Sequence, residues 1–332
     1  MTEPELAMLW ENASPTQVLM TRFGFASPTE IARFVTTLLA DRWGRQISVT
    51  RVALSDQNAI VWVADERTAE SFVVKLSIDV ARFDRLAAIS RLLAPLEAAG
   101  IASVAPVLTT AGEARVRARH QDLEYSIIVQ PHCVGTLLSD GDESQAFAAG
   151  RALGDLHLAL AAIPAVPAAL VDPIPDPIER IRAALASSVP VPRAKTFIRT
   201  FVDRLSHTER FPDFLTHLIH DDFRGANVLL SGIEVRGILD FDEMRLGHRV
   251  VDLARSLTVL STEFRRWEPA PPELSDAFLR GYREIVALTP DEMTWLPILH
   301  LVAGIGQAPG DGRESSWSHA IERQARVRAE RQ

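Results

Sequence analysis

The sequence predicts an α+β chain: a small antiparallel β lobe at the N-terminal side and a mainly helical lobe after it. Three observations predict this. From residue 47 the runs ISVTRVAL, AIVWVAD and SFVVKLS follow one another, with the polar turns SDQN and ERTAE between them, which is the pattern of an antiparallel meander. From about residue 137 helical spacing dominates. Between helical stretches lies HDDFRGANVLLSGIEVRGILDFDE, residues 220–243, which crowds four aspartates and an Asn around a short hairpin.

Taken in order, Ser27-Pro28-Thr29-Glu30 supplies an N-cap, an N1 proline and the N3 partner of a capping box. IARFVTTLLADRW then keeps helical spacing up to Gly44, so residues 1–46 are expected to form an N-terminal helical extension. The β-rich lobe is assigned to 47–130, with one inserted helix over 81–99 that stops at Gly100, and with SVAPVL and YSIIVQ as its last strands. A hinge is placed at 131–136 and the helical lobe at 137–332, opening with the amphipathic QAFAAGRALGDLHLALAAI. Residues 161–178 are too rich in Pro for a single helix and read as a packed excursion between helices.

Composition narrows the function. The chain of 332 residues is 47% hydrophobic, as a folded globular protein should be. Its 35 Lys+Arg against 43 Asp+Glu give a net charge of -8, so no basic field recommends nucleic acid or an anionic membrane, and a small molecule is the expected partner. Cys133 is the sole cysteine and reads as a packed thiol, the acidic start has no signal-peptide pattern, and no apolar run nears the roughly 20 residues of a membrane span. A cytoplasmic protein is the expectation. Oligomeric state is not legible.

In the acidic segment, Ser231-Gly232 is expected to turn NVLL into IEVRGILDF, with 230 facing 233, 227 facing 236 and Asp240 close to Phe223 and Asp222. Any one of these acids could equally be a strand-end cap. As a set they would repel one another unless a cation lay between them. Mg2+ suits oxygen donors, typically one or two carboxylates with waters and substrate phosphates. Asn227 and Asp240 could hold it, leaving Asp222 to accept a proton from a hydroxyl. Phosphoryl transfer needs that division of labour.

His220-Asp221-Asp222-Phe223-Arg224-Gly225-Ala226-Asn227 resembles the H-G-D-x-x-x-x-N catalytic loop of aminoglycoside phosphotransferases, choline kinases and type II homoserine kinases. Ile238-Leu239-Asp240-Phe241-Asp242 is similar to that family's metal-binding segment. Gly247 through Asp252-Leu253-Ala254 looks like its G-x-x-x-x-D-L-A run, and Leu153-Gly154-Asp155-Leu156-His157 its L-G-x-L-H helix. The resemblance spans about residues 50–310. It implies a protein-kinase-like two-lobed fold, ATP or GTP as phosphate donor, and Mg2+. It further implies Asp222 as base, Asn227 and Asp240 as metal ligands, His220 as a brace for the metal segment and Arg224 near the transferred phosphate. Asp252 becomes a buttress of the loop, while Asp242 could touch a second metal or the substrate or be a solvated acid. Asp221 departs from the family's Gly and is expected to point away from the metal.

On the nucleotide side, Lys75 is one of only two lysines in the chain and sits in an apolar strand. A compact ammonium suits a point contact to phosphate, and the resemblance places the ATP lysine there. Ser55 and Asn58 resemble the Ser and Asn of the family's short phosphate loop, and main-chain groups near Gln130 and His132 would meet the base. The helix Glu that pairs with the lysine is missing: Ala88, Ile89 or Ser90 falls near its position, with Asp84 or Glu97 as substitutes. For the acceptor, Asp140, Asp142, Glu143 or Glu243 could form an acidic surface as in aminoglycoside modifiers, whereas FLRGYREIVALTPDEMTWLPIL resembles the C-terminal helices of type II homoserine kinases. An amino alcohol, a sugar and an aminoglycoside-like molecule stay open. The rivals are a metal-dependent phosphohydrolase using His217, His220 and His157, a glycosyltransferase reading Asp240-Phe241-Asp242 as a metal site, and a non-catalytic nucleotide-binding module.

Overall fold

The computed structural model describes residues 3–138, 142–205 and 214–330. The chain divides into two compact units, Met1–Val134 and Gly135–Gln332.

The first unit is built on a six-stranded sheet of order β1-β2-β3-β4-β6-β5. Strands β2 (Ile47–Leu54), β3 (Asn58–Asp65) and β4 (Ser71–Ser77) form the expected meander, and β6 (Leu123–Pro131) pairs antiparallel with β4. The alternation dictates the faces. Phe72, Val74 and Leu76 join Val61, Val63, Ile127 and Val129 in a core capped by α1 (Pro15–Phe23) and α2 (Pro28–Trp43), through Leu19, Phe23, Ile31, Val35 and Leu39. Ser27 caps α2 by accepting from the Glu30 N–H, and Gly44 ends it at φ +65°, where a left-handed residue closes the last turn.

Two expectations need correction here. Residues before 47 are not only helical, since β1 (Glu5–Met8) adds to the sheet parallel to β2 and the helices share its core. SVAPVL is not a strand: Pro106 lacks a ladder donor, and the sheet edge is instead β5 (Val116–His120), VRARH. The inserted helix, α3, runs Phe83–Ala98.

In the second unit α4 (Glu143–Ala161) lies against α8 (Pro272–Ile285) so closely that a Cβ on Gly150 would strike the Phe278 carbonyl, and one on Gly281 the Phe147 carbonyl. Gly281→Val should therefore lower stability by about 3 kcal/mol or more. Gly306, late in α9 (Pro290–Gln307), has open space around its Cβ position, so Gly306→Ala should be neutral or gain about 0.5 kcal/mol. Urea midpoints of the two variants check the contrast.

The remaining helices are α5 (Pro177–Ala186), α6 (Pro192–Leu205), α7 (Arg249–Val259) and α10 (Ser316–Glu330). Strand β7 (Thr136–Leu137) pairs with β9 (Val228–Ser231), which pairs with β10 (Glu234–Ile238), and β8 (Thr216–Ile219) pairs with β11 (Arg245–His248). The β9–β10 hairpin turns at Gly232-Ile233, not at Ser231-Gly232. Gly232, at φ +61°, takes the first central position of the two-residue turn. A bulge between Val235 and Gly237 shifts the register further, so Leu239 rather than Arg236 meets Asn227. Among the described residues no helix is long and apolar enough to cross a membrane.

Candidate active site

The site is assembled by two chain reversals in the second unit. After β8 the backbone turns at Asp221 with φ +59°, and after β10 it turns at Asp240 with φ +58°. Asp is one of the few non-Gly residues that enter this region readily. The same conformation explains why Asp221 can stand where the resembled family has Gly.

Asp252, fully buried on α7, holds the first reversal. Its carboxylate accepts from the His220 N–H (3.0 Å), the Asp221 N–H (3.1 Å) and His157 Nε2 (3.0 Å). His157 Nδ1 meets the Tyr282 hydroxyl at 2.8 Å, which ties α4 and α8 to the loop. Burial disfavours the Asp252 charge, but the His157 hydrogen bond and neighbouring positive charge outweigh it and hold the carboxyl below its usual range.

His220 links the two reversals. Its Nδ1 accepts from the Asp222 N–H at 3.2 Å and its Nε2 donates to the Leu239 carbonyl at 3.1 Å, next to Asp240. Asn227 Nδ2 donates to both the Asp222 carbonyl (2.8 Å) and Asp222 Oδ2 (2.9 Å), which leaves the amide oxygen for a cation. Gly225 lets the turn between them approach α7: a Cβ there would lie 2.5 Å from the Leu260 carbonyl. Asp222 also pairs with Arg224 Nε (3.2 Å) and Arg255 Nη2 (3.3 Å), and Arg224 lies over the Trp267 ring at 5.5 Å. Asp240 is exposed and Asp242 half-buried.

Asp221 points to Arg245, whose Nε donates to it at 2.6 Å, with Arg255 Nη1 at 3.7 Å. Sequence reasoning missed both arginines. Arg255 was readable as the residue one helical turn after Asp252, whereas Arg245 reaches the loop through the β8–β11 register, which no local pattern announces.

On the first unit Lys75 is half-buried in β4, opposite Ile60 and Ile128 and on the face away from the helix-capped core. The Ser55 hydroxyl is turned into its own loop, where it accepts from the Gln57 and Asn58 N–H groups, and Asn58 Oδ1 accepts from Ser77. These residues therefore shape the β2–β3 turn, which weakens the assignment of Ser55 to a phosphate. The His132 N–H is likewise committed, to the Ser71 carbonyl, and Gln130 Nε2 donates to the Val104 carbonyl. In α3, Ser90 receives Arg115 Nε at 2.9 Å, Asp84 pairs with Arg117 at 2.5 Å, and Glu97 lies 3.4 Å from the Ala105 N–H.

Of the acids considered for the acceptor, Asp142 caps α4 and Glu143 pairs with Arg280 at 3.3 Å. Glu243 is exposed, and Asp140 lies outside the described residues. The phosphohydrolase reading fails at His157, whose two ring nitrogens are both engaged, and the loop bearing His220 follows a strand rather than a helix.

Next to this site His217 is desolvated and lies beside His157, which pushes its pKa down to about 4. A histidine kept neutral in the fold but protonated when unfolded costs stability as pH falls from 6.5 towards about 4. His217→Asn should remove that part of the acid sensitivity, up to roughly 3 kcal/mol. Denaturant melts of both proteins at pH 7 and pH 4.5 would show it.

A family model described as the phosphotransferase enzyme family matches residues 49–296. No curated protein matches in sequence. Solved structures match at low identity. A microcompartment-associated aminopropanol kinase is 16% identical over 89% of this chain and 94% of that one, with a TM-score of 0.60. An amicoumacin kinase in complex with AMP-PNP, Ca2+ and Ami is 16% identical over 90% and 93%, with a TM-score of 0.56. A macrolide 2′-phosphotransferase from Brachybacterium faecium is 16% identical over 88% and 97%, with a TM-score of 0.55. At these identities the likeness carries the fold, which is α+β and protein-kinase-like. With the family model covering well over half of its residues, the chain belongs to the phosphotransferase enzyme family.

Proposed function

We propose that this protein transfers the terminal phosphate of ATP or GTP to a hydroxyl of a small acceptor, an amino alcohol, a sugar or an aminoglycoside-like molecule. The observation that carries this reading is the double donation from Asn227 Nδ2 to Asp222. It fixes a carboxylate beside an amide oxygen within one hydrogen-bonded loop that His220 ties to the neighbour of Asp240. Asp222 is the group that accepts or orients the acceptor's proton. Arg224, fixed over Trp267, stands next to it to meet the transferred phosphate. Asn227 and Asp240 fit Mg2+ as hard oxygen donors, and the ion when bound would offset charge on the phosphate oxygens. On the first unit, Lys75 is the proposed phosphate contact, while Ser55 and Asn58 shape the adjoining turn.

Relatives of similar fold support the donor and the acceptor class, since one holds AMP-PNP with Ca2+ and another is an aminopropanol kinase. The test is turnover of ATP and GTP with Mg2+ across amino alcohols, sugars, aminoglycosides and hydroxy acids, with product followed by mass. Phosphorylated acceptor that disappears in Asp240→Ala supports the reading. Nucleotide binding with no product from any class would favour the non-catalytic module.

A further inference from the structure

The reversal that carries Asp222 is surrounded by more positive charge than its acids require. Arg245 from β11 already neutralises Asp221 at 2.6 Å. Arg255 from α7 adds a second guanidinium, held only loosely at 3.7 Å from Asp221 and 3.3 Å from Asp222, and its Nε is a buried N–H with no hydrogen-bond partner. Arg180 from α5 is a third. It is half-buried, lies within electrostatic reach of Asp221, Arg245 and Arg255, and among the described residues its guanidinium has no ion-pair or hydrogen-bond partner. With Arg224, four guanidinium groups lie around three aspartates, Asp221, Asp222 and the buried Asp252, all within the helical unit.

Burial depresses the Arg180 pKa, and the Asp221 attraction is opposed by the Arg245 and Arg255 charges. A mutually repelling set of half-buried arginines is stabilised when an anion enters it, and a guanidinium fork matches the two oxygens of a carboxylate or phosphate. Of the acidic groups that could have welcomed a cation, Asp142 is engaged in the α4 cap and Glu143 with Arg280.

We propose that Arg180 and Arg255 receive a carboxylate or phosphate carried by the acceptor, which narrows the acceptor named above to a hydroxy or sugar compound bearing an acidic group and sets aside the cationic amino alcohols and aminoglycosides. This rests on the phosphotransfer reading, because it is Asp222 that places the acceptor hydroxyl beside these arginines.

Three probes of one scaffold test it: glycerate as anion, glycerol as neutral and aminopropanediol as cation. Each is titrated into the full chain holding Mg2+ and AMP-PNP. Glycerate should bind at least about tenfold more tightly than aminopropanediol. Arg180→Gln should erase that gap, and Arg180→Lys should keep part of it. Preference for the cation, no glycerate binding to the wild type, or a preference that survives Arg180→Gln would overturn the proposal. So would displacement of AMP-PNP by glycerate, which would assign the arginines to the nucleotide's own phosphate. Binding of Mg2+ and AMP-PNP is recorded before each titration. Its absence would sink the phosphotransfer reading separately, while discrimination by Arg180 is still measured.

Discussion

Asp222→Asn is expected to lower kcat by about 10²–10⁴ while leaving nucleotide affinity within about twofold. The asymmetry follows from where Asp222 sits. Its Oδ2 accepts from Asn227 and Arg224, and its Oδ1 pairs with Arg255, so the carboxylate is held by its own loop and by α7. An amide at this position offers one acceptor in place of two and cannot take the acceptor's proton. The Asn227 bond to the Asp222 carbonyl is main-chain and survives the change, so the amide oxygen stays in place. Single-turnover kinetics with a titration of Mg2+ and AMP-PNP separates the two effects. A fall in kcat of less than tenfold, or equal loss of binding and transfer, would remove Asp222 from the role of base.

Asp252→Ala is expected to cost about 3–5 kcal/mol and to inactivate the enzyme. The side chain has no exposure and accepts three hydrogen bonds, two of them from consecutive N–H groups of the loop that carries Asp222. Truncation leaves those donors buried and unpaired, and the His157 ring loses the contact that orients it between Asp252 and Tyr282. The pH dependence has a definite sign. The folded pKa of Asp252 is depressed, so its stabilisation is present above the ordinary Asp range and lost only as pH falls through the lower folded value. Asp252→Asn should flatten that acid limb while lowering stability at neutral pH. Urea unfolding at pH 7 and pH 3.5 measures both. A midpoint at pH 7 unchanged by Asp252→Ala would show that the loop does not depend on this carboxylate.

The sequence was most informative where one local rule dominated. Alternation in SFVVKLS placed Phe72, Val74 and Leu76 on the core face of β4 and Lys75 on the other, because a strand with one buried face has little freedom of register. Ser27 and Gly44 marked both ends of α2 because capping chemistry is local. Edges were harder. The VRARH strand carries two arginines at a sheet edge, where solvent removes the apolar signal, and the four-residue β1 is held by pairing with a strand more than forty residues away. The hairpin itself was legible, but its turn lies one residue later than the Ser231-Gly232 pair suggests, and the bulge near Arg236, a tertiary adjustment, shifts the register again.

In the site, the grouping of His220, Asp222 and Asn227 was legible because all three belong to one loop. The arginines around it were not. Arg180, Arg245 and Arg255 come from three elements, and only the fold brings α5, β11 and α7 to the same loop. Ser55 is a case the sequence leaves half-told: its hydroxyl also accepts from the N–H groups of its own turn, a local bond that the resemblance does not announce.

Asn227 and Asp240 are proposed to hold a divalent cation together with the nucleotide. Electron paramagnetic resonance of Mn2+ titrated into the protein with saturating AMP-PNP tests it most directly. One nucleotide-dependent bound Mn2+ is expected in the wild type, with at least about tenfold weaker binding in both Asn227→Ala and Asp240→Ala. Unaltered Mn2+ affinity in either variant, with the fold intact by melting, would contradict it.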